Sequence, residues 1–355
     1  MFLLLLLSPP ARADELSDSV GLSGLEQAAQ GYLGGYLNVD ELTGDSFGQG
    51  VLTILDTGSG EFVSALRRAG RSGLLLLAVA LLCALCDVGR DTLTLGGLDP
   101  VRLAGTVAVT AIAVTDVNAL MGLGQETLAR LDGFSKILLP VVTAVSAASG
   151  TPGAAVARQG AALLFLNLLI TVARRLILPL VYGYVCASAA RTALDNSGLA
   201  RVASLLKWVA GGLLSALLTG FVLYLSVTTS VAGTADALAQ KTAKTVLSGM
   251  IPVVGGILSD AAETVAAGAG ALKGTVGVIG LLAMLALCLG PFLQLGCHYL
   301  IYKLCAALTD TVCSGPVTSL MDAMVGAFAL LMGMVGSAGV ILYVALLISM
   351  KAVGG

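Results

Sequence analysis

Six long runs of apolar residues restrict what this chain can fold into more than any other feature of its sequence. A helix needs about 20 mostly apolar residues to cross the hydrocarbon core of a bilayer. Open chains cross lipid as helices, because every backbone polar group there must bond within the protein, and the runs are too long and continuous for barrel strands. We therefore predict an all-α polytopic integral membrane protein with about six transmembrane helices. The runs cover approximately residues 73–88, 101–120, 161–190, 208–230, 275–300 and 324–349.

Composition and charge agree with this class and argue against another. Hydrophobic residues make up 57% of the chain and charged residues 11%, whereas soluble domains carry roughly 25% charged residues. The formal net charge is -2 and no long basic run occurs, although binding to nucleic acid requires clustered Lys and Arg. We therefore expect membrane lipid, and no nucleic acid, among the partners of this protein.

The first 13 residues, MFLLLLLSPPARA, have the form of a signal peptide. An apolar stretch precedes small residues in an A-x-A arrangement at Ala11 and Ala13, which is typical of a cleavage site. No basic segment stands in front of the apolar stretch, so a weak membrane anchor remains the alternative. We predict a signal peptide over residues 1–13, and its cleavage is left open.

Residues 14–72 form a polar leader before the multispan domain, residues 73–355. The leader is rich in Gly and Asp and holds no long apolar run, which favours short amphipathic helices on the membrane surface. A cleaved signal peptide would place the leader outside the cytoplasm. Arg67, Arg68 and Arg71 favour the opposite side, because positive charges beside a span tend to be cytoplasmic. The sequence leaves these two predictions in conflict.

Two further apolar runs, near residues 137–148 and 250–258, are too short to cross a bilayer. The second belongs to the stretch IPVVGGILSDAAET, in which a proline and two glycines weaken a continuous helix and two acidic residues follow. We predict a pair of short re-entrant or broken helices beside a conduit or a partner-binding face. The alternative is that the prolines kink ordinary packing helices. The candidate residues are Pro140, Pro252, Gly255, Gly256, Asp260 and Glu263.

The two short runs share the sequence Pro-Val-Val at a spacing of 112 residues, which indicates an internal duplication. Pro179 and Pro291, each inside a later apolar run, keep the same spacing. We predict repeats over residues 101–195 and 208–310, each with a span, a polar linker, a short proline run and a second span. Paired broken helices of this kind line pathways in transporter-like folds. Chance similarity between low-complexity membrane segments is the alternative.

Ionisable residues inside apolar runs are further candidates, since charge at the bilayer centre is costly and faces a bundle interior or water. Arg174 and Arg175 interrupt the run 161–190. Two interpretations compete: a single long span with buried arginines, or a span that ends at an interface where both side chains snorkel. Snorkelling is favoured because the run is longer than a span needs. Asp116 lies near the end of its own run, which also favours an interface.

Motifs for catalysis, cofactors and metals do not occur in the sequence. The chain has no G-x-x-x-x-G-K-[ST] phosphate loop, so ATP-driven work requires another subunit. The single histidine, His298, is interpreted as a packed helix residue. Cys83 and Cys86 form a C-x-x-C inside an apolar run, which favours small side chains embedded in lipid over a metal site. We therefore assign no catalytic, cofactor or metal residues and predict a protein that is not an enzyme.

Two small-residue faces predict close helix packing in the C-terminal half of the chain. One combines Gly270-x-x-x-Gly274 with further glycines, and the other places three glycines at spacings of three residues. Small residues allow helix backbones to approach closely in lipid. We expect packing within the protein, with partner contact as the alternative. The further glycines are Gly277, Gly280, Gly333, Gly336 and Gly339.

Three blocks of the sequence resemble the stage III sporulation protein AE family. They are LARVASLLKWVAGGLLSALLTGF at 199–221, KTAKTVLSGMIPVVGGILSDAAETV at 241–265 and LIYKLCAAL at 300–308. The resemblance extends over nearly the whole chain, and the block at 241–265 is its most diagnostic part. It brings no catalytic residues with it.

The resemblance implies a role and a location. We expect a polytopic subunit of a secretion-like channel complex, in the mother-cell membrane around the forespore of an endospore-forming bacterium, needed for forespore development. The expected partners are other stage III sporulation membrane proteins and an assembly ATPase of the same operon. Homo-oligomer formation is left open. A secondary transporter for a small solute is the alternative function, since it would also use paired broken helices.

Overall fold

The structure, a computed structural model, describes residues 22–33, 47–88, 100–148, 152–194, 197–230, 275–312 and 316–351. All of these residues are helical, which confirms the predicted all-α fold. A π-helical turn, Ala173–Ile177, joins the fourth helix to the fifth. The helices are α1 Leu22–Leu33, α2 Phe47–Val88, α3 Pro100–Ala148, α4 Pro152–Val172, α5 Leu178–Leu194, α6 Ser197–Ser230, α7 Thr275–Val312 and α8 Pro316–Lys351.

Six segments in the described part of the chain are long and apolar enough to cross a membrane, as predicted. Each contains one of the six apolar runs or most of it, and each exceeds the 20 or so residues that a span requires. The protein is therefore a multi-pass membrane protein. The segments are Phe47–Leu85, Ala104–Val142, Ala162–Ala193, Ser197–Leu225, Val276–Thr311 and Val317–Leu347.

Helix α2 continues without a break across the predicted boundary between leader and multispan domain at residue 72. Its polar half is amphipathic, because Ile54, Ala65 and Ala69 are fully buried while the residues between them are largely exposed. Residues 47–72 thus form the first half of a long packed helix, where the sequence had favoured short surface helices. The predicted signal peptide, residues 1–13, lies outside the described residues, and the side of the membrane on which the leader lies stays a prediction.

The short run 137–148 is not a separate element, which corrects the expectation of a re-entrant helix there. It forms the last turns of α3, and Pro140 lies inside that helix on its exposed face. The polar linker before it stays helical because Leu128, Leu131 and Phe134 are fully buried on one face. The missing amide of Pro140 therefore interrupts hydrogen bonding on the outer side of α3. The other short run, 250–258, lies outside the described residues.

Helices α7 and α8 form the centre of the bundle. The most apolar stretch of α8 is 78% buried and that of α7 is 67% buried. The corresponding stretches of the other four spanning segments are at most 39% buried. Small residues allow the close contact: a Cβ atom on Gly339 would lie 3.1 Å from Cys288 Sγ, and one on Gly280 would lie 3.2 Å from Leu346. Packing within the protein is confirmed for these glycines. Gly270 and Gly274 lie outside the described residues.

Candidate functional site

Three helices, α2, α3 and α7, meet along one junction. Helices α2 and α7 are parallel. Gly58 of α2 lies beside Leu289 of α7, and Gly73, fifteen residues later, lies beside Cys305, sixteen residues after Leu289. Helix α3 runs in the opposite direction, because its residue 116 lies beside residue 302 of α7 and its residue 127 lies beside residue 291. The junction therefore brings polar residues from three distant parts of the chain to the same positions along the helix axes, which we call levels.

Facing residues in this junction recur every eleven residues on each helix. Eleven residues make three turns at 3.67 residues per turn, so residues at this spacing return to one face. With a rise of about 1.5 Å per residue, successive levels are about 16 Å apart. Two levels are polar, and apolar or small residues close both ends. The positions are 61, 72 and 83 on α2, 105, 116, 127 and 138 on α3, and 280, 291 and 302 on α7.

The first polar level is a hydrogen-bonded carboxylate, which we call the carboxylate junction (Ser72, Asp116 and Tyr302). Ser72 Oγ donates a hydrogen bond to Asp116 Oδ1 at 3.1 Å. Tyr302 Oη donates to Asp116 Oδ2 at 2.6 Å. Hydrogen bonds to an ionised carboxylate are shorter and about twice as strong as neutral ones. One side chain of α3 thereby fixes the positions of both α2 and α7.

The tyrosine of this junction is held by its ring as well as by its hydroxyl. Tyr302 is fully buried, and its ring packs edge-on against Phe328 of α8, with the ring centroids 4.9 Å apart. His298, one turn earlier on α7, contacts the same phenylalanine and has Nδ1 2.8 Å from the Gln294 carbonyl oxygen. His298 is thus a packed helix residue, as predicted, and the junction is coupled to the central helix.

The second polar level is a cavity of about 290 Å³, which we call the Glu61 cavity. Glu61 approaches the backbone of α7 closely, because a Cβ atom on Gly290 would lie 2.6 Å from Glu61 Oε2. Residues of α1, α2, α3 and α7 contribute to the wall. The polar and proline residues of the lining are Glu61, Glu126, Thr127, Arg130, Pro291 and Gln294.

Pro291 interrupts the main-chain hydrogen bonding of α7 beside this cavity. Proline has no amide hydrogen, so the carbonyl four residues earlier in a helix loses its usual partner. That carbonyl belongs to Leu287, which lines the same cavity. The predicted candidate Pro291 therefore lines a polar cavity and also interrupts the hydrogen bonding of α7. The structure brings it together with Glu61 and Gln294, which the sequence did not single out.

The remaining predicted residues lie elsewhere or outside the described part of the chain. Arg174 and Arg175 occupy the π-helical turn and are exposed on one continuous helical rod, so neither is buried within the bundle. Pro179 follows this turn on an exposed face of α5 and does not line the cavity. A position for the arginines at a membrane interface stays a prediction. Pro252, Gly255, Gly256, Asp260 and Glu263 lie outside the described residues, so their roles and the duplication stay predictions as well.

The sequence did carry a signal for the residues that were missed. Glu61 and Ser72 are eleven residues apart, as are Pro291 and Tyr302. Isolated polar side chains at a spacing of three helical turns indicate one face of a long helix. Such a pattern cannot identify the partner helix, however, and so could not have paired Asp116 with Tyr302.

Comparisons with known proteins agree with the resemblance found in the sequence. The profile of the family "Stage III sporulation protein AE" matches residues 53–353. A curated relative with the same name from Bacillus subtilis (strain 168) is 27% identical over 211 residues, which cover 59% of this chain and 53% of the relative. The chain thus spans about half the length of that relative. No solved structure matches.

Proposed function

Because the chain belongs to the stage III sporulation protein AE family, we propose that it is a membrane subunit of a secretion-like channel complex. This complex would link the mother cell and the forespore during endospore formation and would be needed for forespore development. The observation that carries the proposal is the family match over residues 53–353, which includes most or all of each of the six spanning segments. Membership supports a role in sporulation, and the six segments support a permanent place in the membrane.

The proposed location is the mother-cell membrane that surrounds the forespore. The proposed partners are other stage III sporulation membrane proteins and an assembly ATPase of the same operon. The sequence contains no phosphate loop of the Walker type, so energy for any transport would come from a partner. In this proposal the protein serves as a structural and conduit subunit and performs no catalysis.

The outer surface of α3 supports a role as a subunit. Beside residues 281–293 of α7, which carry no charge, α3 exposes an ion pair between Arg130 and Glu126 at 2.6 Å. A second pair joins Lys136 to Asp132 at 2.8 Å. Charged side chains are costly against lipid tails. A partner subunit or a water-filled conduit therefore suits this face better than lipid does.

Expression in one cell type at a time tests the proposal. In an endospore-forming host without its own copy of the gene, the gene under a mother-cell promoter should restore spore formation. Expression under a forespore promoter should not restore it, because the protein would then reach the wrong membrane. Affinity purification from sporulating cells should recover the assembly ATPase and other membrane proteins of the operon. Equal rescue from either promoter, without those partners, would contradict the proposal.

A secondary transporter is the second candidate function, and the Glu61 cavity is the observation that favours it. Polar sites at interrupted helices are where such transporters bind solutes and coupling ions. Uptake by the purified protein in liposomes should then depend on Glu61 and fall in a Glu61→Gln variant. The matched control is Asp56→Asn, an exposed carboxylate of the same helix outside the cavity. Absence of uptake for a panel of ions and small metabolites would leave the channel subunit as the supported function.

A further inference from the structure

We propose that the seam between α5, α6 and α8 binds the headgroup of phosphatidylethanolamine, a phospholipid that carries one phosphate and one primary ammonium group. Lys207 of α6 and Asp322 of α8 are both exposed on the outside of this seam. No ion pair joins these two described residues. A ligand with an anionic and a cationic group close together therefore complements them. The site goes beyond the proposed role in a channel complex and does not depend on it.

Tyr184 of α5 lies close to both charges of the seam. Lys207 Nζ is 5.8 Å from the centroid of the Tyr184 ring, which is within the range of a cation–π contact. A Cβ atom on Gly326 of α8 would lie 2.8 Å from Lys207 Nζ and 2.7 Å from Tyr184 Oη. Asp322 precedes Gly326 by one helical turn and interacts electrostatically with Tyr184. The missing side chain of Gly326 thus lets the amine approach α8 beside the carboxylate.

Helices α6 and α8 are parallel, so their corresponding ends face the same side of the membrane. Lys207 lies beside Gly326, and Gly211, four residues later, lies beside Leu330, four residues after Gly326. Both helices therefore enter the hydrocarbon from the same side. Charges that precede the apolar runs of these two helices lie near one membrane surface.

Both charges of the seam lie where the apolar runs of their helices begin. Lys207 directly precedes the run 208–230, and Asp322 lies just before the run 324–349. Trp208 is the first residue of its run and is 73% exposed. Tryptophan is enriched at the boundary between lipid headgroups and acyl chains. The seam is therefore at the depth of the headgroups, where a phosphate and an ammonium group of lipid are available.

The two charges select one headgroup over the other common ones. The phosphate accepts hydrogen bonds from the Lys207 amine, and the primary ammonium group donates to the Asp322 carboxylate, both as charge-assisted bonds. The quaternary ammonium group of phosphatidylcholine has no hydrogen to donate to this carboxylate. Phosphatidylglycerol brings a phosphate without a cation, so Asp322 repels its negative charge and has no partner in it.

Thermal unfolding of the purified full-length protein in mixed micelles tests this site. Circular dichroism is followed while dioleoyl phosphatidylethanolamine, phosphatidylcholine or phosphatidylglycerol is added to the detergent at equal mole fractions. Phosphatidylethanolamine should raise the midpoint temperature saturably, by about 2 °C at roughly ten times its dissociation constant, because it binds the folded state. The other two lipids should raise it less. Equal rises with all three lipids would overturn the proposal.

Two variants and two controls assign the effect to the seam. Lys207→Gln and Asp322→Asn each remove one charge from an exposed side chain and should each weaken phosphatidylethanolamine binding about ten-fold. Asp322→Asn should also remove the preference over phosphatidylglycerol, because its repulsion is gone. Arg201→Gln and Asp56→Asn change exposed charges outside the seam and should retain the full effect. A midpoint that falls in both seam variants, with an unchanged response to phosphatidylethanolamine, would show that the two charges act only within the bundle and would exclude the site.

Discussion

Removing the hydroxyl of Tyr302 should weaken the packing of α7 against α3 by an amount that depends on Asp116. In the folded protein this hydroxyl donates at 2.6 Å to the Asp116 carboxylate, and the tyrosine is fully buried. Hydrogen bonds to charged groups contribute about 1.5–3 kcal/mol. Bonds between helices in membranes have averaged about 0.6 kcal/mol, with a maximum near 1.7. The short charge-assisted bond places the expected coupling near the upper end, at about 1.5 kcal/mol.

A double-mutant cycle measures this coupling directly. Tyr302→Phe should lower the free energy of unfolding by about 2 kcal/mol, because the carboxylate keeps one donor, Ser72, at 3.1 Å. Asp116→Leu should cost about 2–3 kcal/mol, since two hydroxyls lose their acceptor. The double variant should lose less than the sum by about 1.5 kcal/mol. Unfolding in mixed micelles by titration with a denaturing detergent, followed by circular dichroism, provides the free energies.

The matched control for the cycle is Tyr182→Phe. Tyr182 is 41% exposed on α5, and a change at such a surface should stay within about 0.5 kcal/mol. Its effect should also add to that of Asp116→Leu without coupling. Should Tyr302→Phe and Asp116→Leu prove additive to within about 0.3 kcal/mol, the bond would contribute no net energy. The carboxylate junction could then not be what fixes α7 to α3.

Three further predictions address packing, the leader and the undescribed segment. Gly73→Ala should destabilise the protein, because its Cβ would collide with Ile301 of α7. At Gly70 an added Cβ would meet nothing within 4 Å, so Gly70→Ala should be neutral or stabilising by up to about 1 kcal/mol. Thermal unfolding of both variants checks this. If the signal peptide is cleaved, mass spectrometry of the mature protein should find its N-terminus at Asp14, and a mature protein that retains residues 1–13 would contradict this. Replacing Gly255 and Gly256 together with Leu should block sporulation while the amount of the protein in the membrane stays near normal. Full activity would show that the stretch 251–264 is an ordinary lipid-facing segment.

The sequence by itself determined the class of fold and the six spanning segments in the described part of the chain. Hydrocarbon thickness and the need to satisfy backbone polar groups act on each segment separately, so length and hydropathy are sufficient to recognise a spanning helix. They are insufficient where polar residues lie within a helix. The polar residues after residue 120 favoured a linker and those before residue 72 favoured short surface helices, whereas residues 100–148 and 47–88 each form one continuous helix. Burial of one face, at Leu131 or Ala65, maintains the helix there.

The tertiary structure alone decided which polar residues meet. Asp116 and Tyr302 are 186 residues apart in the chain, and Glu61 and Gln294 are separated even further. Spacing within one helix defines a face, but the partner of that face depends on how three helices align along their axes. Small residues set this alignment, since Gly73 and Gly290 permit α2 to approach α7. Close packing is a property of two surfaces together, and no single segment of sequence contains both.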